Sequence, residues 1–151
     1  MKHYMTAACA FAALAVTLCG CSSMGSAASA VSAYEKLGGS SNLTSIASGL
    51  VNSSLKDPRL SGLTAGKNVD ASAVSGKVSN QLCSMLGGGC SAPLTDSQLS
   101  TAASRVSPDQ SKAISENFTS SLNRVVSDPK VRELVTNTVG SKVPSVLAGL
   151  L

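Results

Sequence analysis

Apolar residues recur along this chain at helical spacing. Leu43, Ile46, Ala47, Leu50 and Ser54 form one stripe, closed by Leu55. Ala71, Val74, Val78, Leu82 and Met85 form a second over Val69 to Leu86. Leu99, Ala102, Ala103 and Val106 predict a short helix, and Ile114, Phe118, Leu122 and Val125 a longer one reaching about Val126. Val131, Leu134, Val135 and Thr138 share a face after Asp128-Pro129, and Val146 to Leu151 is a final apolar segment. No alternating strand pattern is sustained and no segment repeats, so the pattern predicts an all-α fold.

Punctuation sets the expected boundaries. Ala33 to Leu37 reads as a short helical turn stopped by Gly38-Gly39. Asn42 is the expected cap of the next helix, and Pro58 the reason it ends, because the residue before proline avoids helical backbone. Leu60 and Leu63 anchor a loose connector reaching Asn68. Thr95 with Gln98, and Ser107 with Pro108 and Gln110, carry capping-box signals. Gly140 and Pro144 threaten the last helix with a break or kink. The pivot is Leu82-Cys83-Ser84-Met85-Leu86-Gly87-Gly88-Gly89-Cys90, where a helix stops on three glycines between two cysteines.

Composition narrows the function classes. With 43% hydrophobic and 13% charged residues in 151, the chain suits one domain with an apolar core. A net charge of +4, spread without a run, gives nucleic-acid binding little support. Ser53 to Lys56 and Ser127 to Lys130 fit S-x-x-K without the partner motifs of that catalytic class, and read as helix-end residues. Gly62 to Lys67 has the wrong spacing for a phosphate loop. Asn42, Asn52 and Asn117 begin glycosylation sequons, which read as bystanders. The acidic residues lie scattered, and the only histidine is His3, so catalysis and metal binding lack their usual side chains.

The N-terminus reads as a targeting segment. Lys2 and His3 precede an apolar run from Ala7 to Leu18, too short to span a bilayer. Leu18-Cys19-Gly20-Cys21 resembles a bacterial lipobox. That resemblance implies a signal peptide over residues 1–20, acylation of Cys21, and a tether over 21–32 ahead of a domain over 33–151. The alternative is an ordinary secretory cut near Ser26-Ala27-Ala28. By resemblance to enterobacterial sorting rules, Ser22 favours the outer membrane, with the domain facing the periplasm. Ser22 to Val31, small and polar, would reach about 18 Å as a coil. Cys9 and Cys19 then leave with the signal. Cys83 and Cys90 remain in an oxidising compartment, which favours a disulfide over a redox pair or metal ligands.

Four motifs in order resemble the truncated haemoglobins, short bacterial globins with a two-over-two helical sandwich. They are Tyr34-Glu35-Lys36-Leu37-Gly38-Gly39, Asp57-Pro58-Arg59-Leu60, the Leu82-Cys83 to Cys90 turn, and Val106-Ser107-Pro108-Asp109-Gln110. The resemblance covers about Tyr34 to Leu147 and implies that fold behind the lipoprotein signal. The departures bear on function. The family's proximal His position falls near Thr101, among Ser, Leu, Thr and Ala residues. Its distal Phe-Tyr pair becomes Leu50-Val51, its Phe-Phe becomes Leu63-Thr64, and Ser91-Ala92-Pro93 replaces its Tyr after the turn. Only Met85, Tyr34 or a reduced Cys83 stand as substitute iron ligands.

The expectation is a lipid-anchored, haem-free, non-catalytic binding or structural module of the envelope, with the membrane and an envelope protein as partners and no cofactor. The alternative is a haem or small-molecule binder of the oxygen-carrier or sensor type, with a non-His axial ligand. An open cavity lined by Leu50, Leu63, Leu82 and Phe118 would favour the alternative, and tight aliphatic packing the first reading.

Overall fold

A computed structural model describes residues 33–151, and every described element is helical. The lipobox, Cys9, Cys19, Cys21 and the tether lie outside the described residues. The helices are α1 (residues 33–37), α2 (Gly39–Lys56), α3 (Ser61–Thr64), α4 (Ala71–Met85), α5 (Asp96–Ala103), α6 (Pro108–Val125), α7 (Pro129–Val139) and α8 (Val143–Leu150), with a 3-10 turn at Pro58–Leu60. Among the described residues, no helix is long and apolar enough to cross a membrane.

Local chemistry starts most of these helices. Thr95 and Ser107 form complete capping boxes with Gln98 and Gln110, so each pair satisfies two otherwise orphaned amides. Asp128 caps α7 and Asp57 caps the 3-10 turn, both just ahead of proline. Asp70 caps α4 by accepting from Ser72 N and Ala73 N, a boundary two residues inside the expected start at Val69.

Three expectations need correction. Asn42 is not a helix cap. Gly38, at φ 94°, ends α1 and starts α2 at once, which puts Asn42 inside the first turn of α2. Its Nδ2 donates back to the Leu37 carbonyl at 2.7 Å and satisfies the end of α1 instead. The connector after Leu60 is less loose than expected, because α3 continues directly from the 3-10 turn. The final apolar segment, expected over Val146 to Leu151, is part of a helix that begins earlier, at Val143, with Pro144 in its first turn, where a missing N–H costs nothing. The break between α7 and α8 falls at Gly140 to Lys142, as the glycine and proline suggested.

α2 packs against α4 on one side and α6 on the other, and α8 packs against α4, α5 and α6. α7 lies on α4 and α6. The sequence stripes meet inside: Leu43, Ile46, Leu50, Val51, Val78, Leu82, Ile114, Phe118 and Leu122 belong to one apolar cluster, completed from α8 by Val143, Val146 and Leu147. Each such side chain, fully buried, contributes roughly 1.5–3 kcal/mol.

The α2–α6 contact is closer than an aliphatic stripe alone would give. A Cβ on Gly49 would stand 2.8 Å from Ser121 Oγ and 3.1 Å from its Cβ. Ser121 is buried there and its hydroxyl has no hydrogen-bond partner among the described residues. Two opposite results are expected. Gly49→Leu forces the helices apart and lowers stability by about 2 kcal/mol. Ser121→Ala removes an unsatisfied buried hydroxyl and raises it by about 1 kcal/mol. Urea titration of the two variants checks both signs.

Candidate functional site

The region richest in built chemistry is the corner after α4. Leu82 and Cys83 sit on its buried face. Gly87 takes φ 79°, a left-handed conformation that an L side chain adopts at a cost. It donates to Ser84 O at 3.2 Å, and Gly88 donates to Cys83 O at 2.9 Å. These two bonds make a Schellman stop, which satisfies the last carbonyls of α4 and turns the chain. Gly89, at φ 73°, returns Cys90 to Cys83, and the two form a disulfide with Cα atoms 5.6 Å apart. The sequence expectation of this bridge holds.

Gly88 has no room for a side chain. Its Cβ would stand 2.6 Å from Cys83 Sγ and 2.7 Å from Cδ2 of Tyr34. The Tyr34 ring therefore lies against the bridged corner and docks α1 there. Gln81, one turn before the stop, is buried, and its Oε1 accepts from Leu94 N at 2.8 Å. That bond holds the segment after the disulfide to α4. The sequence reading missed Gln81 because an amide inside a helical stripe looks like a surface position. Chemically the corner is closed: a bridged Cys83 offers no thiolate for attack or metal binding. Among the described residues, no cluster of three or more His, Cys, Asp or Glu could hold a metal ion.

A second polar group links the 3-10 turn to α6. Arg59 grips Asp57 with two side-chain bonds, Nε to Oδ1 at 3.1 Å and NH2 to Oδ2 at 2.8 Å, and reaches Glu116 with NH1 at 2.8 Å. Asn117 adds a donor to Asp57 Oδ2 at 3.3 Å. The Arg59 hydrogen bond holds the Asp57 carboxyl at about 2, below its ordinary 3.8, against the opposing effect of burial. A carboxyl with a depressed folded pKa favours the folded state while ionised. Its contribution is complete above about 3.8 and disappears as pH falls toward about 2. Wild type should therefore lose stability through that window. Asp57→Asn, which keeps a capping side chain, should lose measurably less there, as denaturant midpoints across the window would record.

The positions singled out by resemblance do not converge on an open pocket. Leu50, Leu82 and Phe118 are buried in the common apolar cluster, and Leu63 packs half-buried against it. Leu50 and Val51, at the family's distal pair, are both 0% exposed. Thr101, at the family's proximal position, is exposed on α5 and donates its hydroxyl to Ser97 O at 3.0 Å. Of the three substitute ligands, Cys83 is in the disulfide, Tyr34 rests on Gly88, and Met85 packs half-buried on the core. Ser53, Lys56, Ser127 and Lys130 lie at helix ends.

Concave surface lies on the outside of the helices. One shallow groove of about 560 Å³ follows α6 along Glu116, Thr119, Asn123 and Arg124. Another, of about 360 Å³, is lined by Lys36, Asp128, Lys130, Val131 and Leu134. A third, of about 250 Å³, runs between α5 and α8 and includes Thr101. Leu50, Leu63, Leu82 and Phe118 line none of these three.

No protein-family model matches the sequence, and no curated protein and no solved structure matches it significantly.

Proposed function

We propose that this chain is a lipid-anchored, haem-free, globin-like domain of the bacterial envelope that serves as a non-catalytic binding or structural module. Cys21 carries the lipid, and the domain stands close to the outer membrane on its periplasmic side. The observation that carries this reading is the filled interior. Leu50 and Val51, with Leu82 and Phe118, occupy it as packed side chains at no more than 2% exposure. A pocket for a flat cofactor needs those positions drawn back. The pairing of α2 with α4 and of α6 with α8 supports a two-over-two sandwich. The bridged Cys83 and Cys90 suit an oxidising compartment.

Haem titration of the purified chain tests the cofactor claim. The expected visible spectrum is the sum of free haem and protein. A saturable one-to-one Soret shift that Met85→Ala or Tyr34→Phe abolishes would establish the haem-binding alternative. Fractionation of cells labelled with a palmitate analogue tests the anchor separately. Label should follow the chain into the membrane fraction and vanish in Cys21→Ala.

A further inference from the structure

The two ends of the Cys83–Cys90 bridge differ in access, and we infer that the bridge opens from one end only: an incoming thiolate bonds to Cys90 Sγ, and Cys83 Sγ is the sulfur that leaves. Cys90 is thus an attachment site for a thiol on the folded domain, and the reagent that completes the opening is a dithiol.

Exchange at a disulfide requires the thiolate to reach one sulfur from the side away from the other, so access decides which sulfur is attacked. Cys83 offers no such path. It is 2% exposed, on the buried face of α4, and belongs to the common apolar cluster. Gly88 lies against its Sγ so closely that even a Cβ would collide, and the Tyr34 ring flanks the same glycine. Cys90 stands beyond the end of α4 and is only half-buried, while its neighbours Gly89, Ser91, Ala92 and Pro93 are exposed. None of the residues from Gly89 to Pro93 joins a backbone–backbone hydrogen bond among the described residues. A reagent as large as a protein therefore reaches Cys90 without undoing a helix.

The turn survives the opening. The bonds from Gly87 N to Ser84 O and from Gly88 N to Cys83 O do not involve the sulfurs, and neither does the bond from Leu94 N to Gln81. Cys83 consequently stays beside Cys90, at an effective concentration no free thiol matches, and a monothiol joined to Cys90 is expelled by the reverse reaction. A dithiol escapes this reversal. In the first step its thiolate supplies the electron pair of the new bond to Cys90 Sγ, the old S–S pair goes to Cys83 Sγ, and that sulfur takes up a proton. In the second step the reagent's other thiolate bonds to its own first sulfur, and Cys90 leaves with the pair and is protonated. The dithiol is oxidised by two electrons to a disulfide, and the bridge is reduced by two electrons to two thiols.

This inference goes beyond the proposed function and shares no step with it, since neither haem nor the lipid anchor enters. The test incubates the full chain in detergent with glutathione, quenches it with acid and maps the adducts by fragment-ion mass spectrometry. In the folded chain glutathione is expected on Cys90 in preference to Cys83 by about tenfold or more. In guanidinium, where access no longer differs, the two should be labelled within about twofold of each other. Tyr34→Ala, which clears one flank of the corner, should raise the share on Cys83. Dithiothreitol should carry the reduction to completion, at a rate proportional to its concentration and unchanged by urea too dilute to unfold the domain. Equal labelling of Cys83 and Cys90 in the folded chain would overturn the inference. So would a reduction rate that rises with urea as unfolding does, because the bridge would then open only in the unfolded chain.

Discussion

Cys83→Ala combined with Cys90→Ala lowers the unfolding free energy by about 2.5 kcal/mol. That figure follows from the chain entropy released when an eight-residue loop opens, about 2.5 kcal/mol on the usual relation. Alanine is the right replacement because Cys83 is 2% exposed, and a serine hydroxyl there would add its own desolvation cost. The melting temperature should fall by on the order of 10 °C. Dithiothreitol should produce the same shift in wild type and none in the variant. Far-UV circular dichroism should keep its helical amplitude. The Schellman bonds from Gly87 and Gly88 and the Gln81–Leu94 bond still hold the end of α4 without the bridge. If reduction and the double substitution both left the midpoint unchanged, the corner would be held by those hydrogen bonds alone.

Phe118→Ala costs about 3–5 kcal/mol, the largest single effect expected in the domain. Phe118 is 2% exposed and belongs to the apolar cluster shared by α2, α4, α6 and α8. Its ring has no polar atom, so the loss comes from burial and from the space left behind. A domain of this size has roughly 5–15 kcal/mol to lose, so the variant should stay folded at room temperature and unfold early in denaturant. The space should remain dry, since apolar cavities do not hold water stably, and should take up benzene or xenon. Benzene should therefore raise the variant's melting temperature and leave wild type unmoved. A cost below about 2 kcal/mol, with no response to benzene, would mean that the helices close over the gap.

The sequence was most legible where one residue acts on its near neighbours. Thr95 with Gln98 and Ser107 with Gln110 capped the helices that their spacing announced, because a capping box is complete within four residues. The Cys83–Cys90 bridge was legible on different grounds: the expected signal and lipobox set Cys9, Cys19 and Cys21 aside, and two cysteines were left for an oxidising compartment. Asn42 was misread because Asn satisfies an N-terminus and a preceding carbonyl equally well, and only the left-handed Gly38 decides between them. The rest depends on distant residues. Gly49 matters because Ser121 crosses it, and Gln81 because Leu94 returns to it. The α5–α8 groove joins Arg105 to Gly149, which no local pattern connects. Periodicity marks which face of a helix is inward. It does not say which two inward faces meet.

The docking of α1 has a mechanical consequence. Any pull on the chain ahead of residue 33 enters the domain through α1, which buries Ala33 and Leu37 in the common core and is tied at two further points. The Asn42 side chain ties its last carbonyl to α2, and Tyr34 sits on Gly88 against the cross-linked sulfur of Cys83. Load is thus shared between α2 and a covalently closed loop at the end of α4, two elements that are themselves packed together. To leave the domain, α1 would have to give up both attachments and its buried side chains. In a domain tethered to a moving surface by its N-terminal end, the Cys83–Cys90 bond would keep the seat under Tyr34 in shape while the tether is pulled.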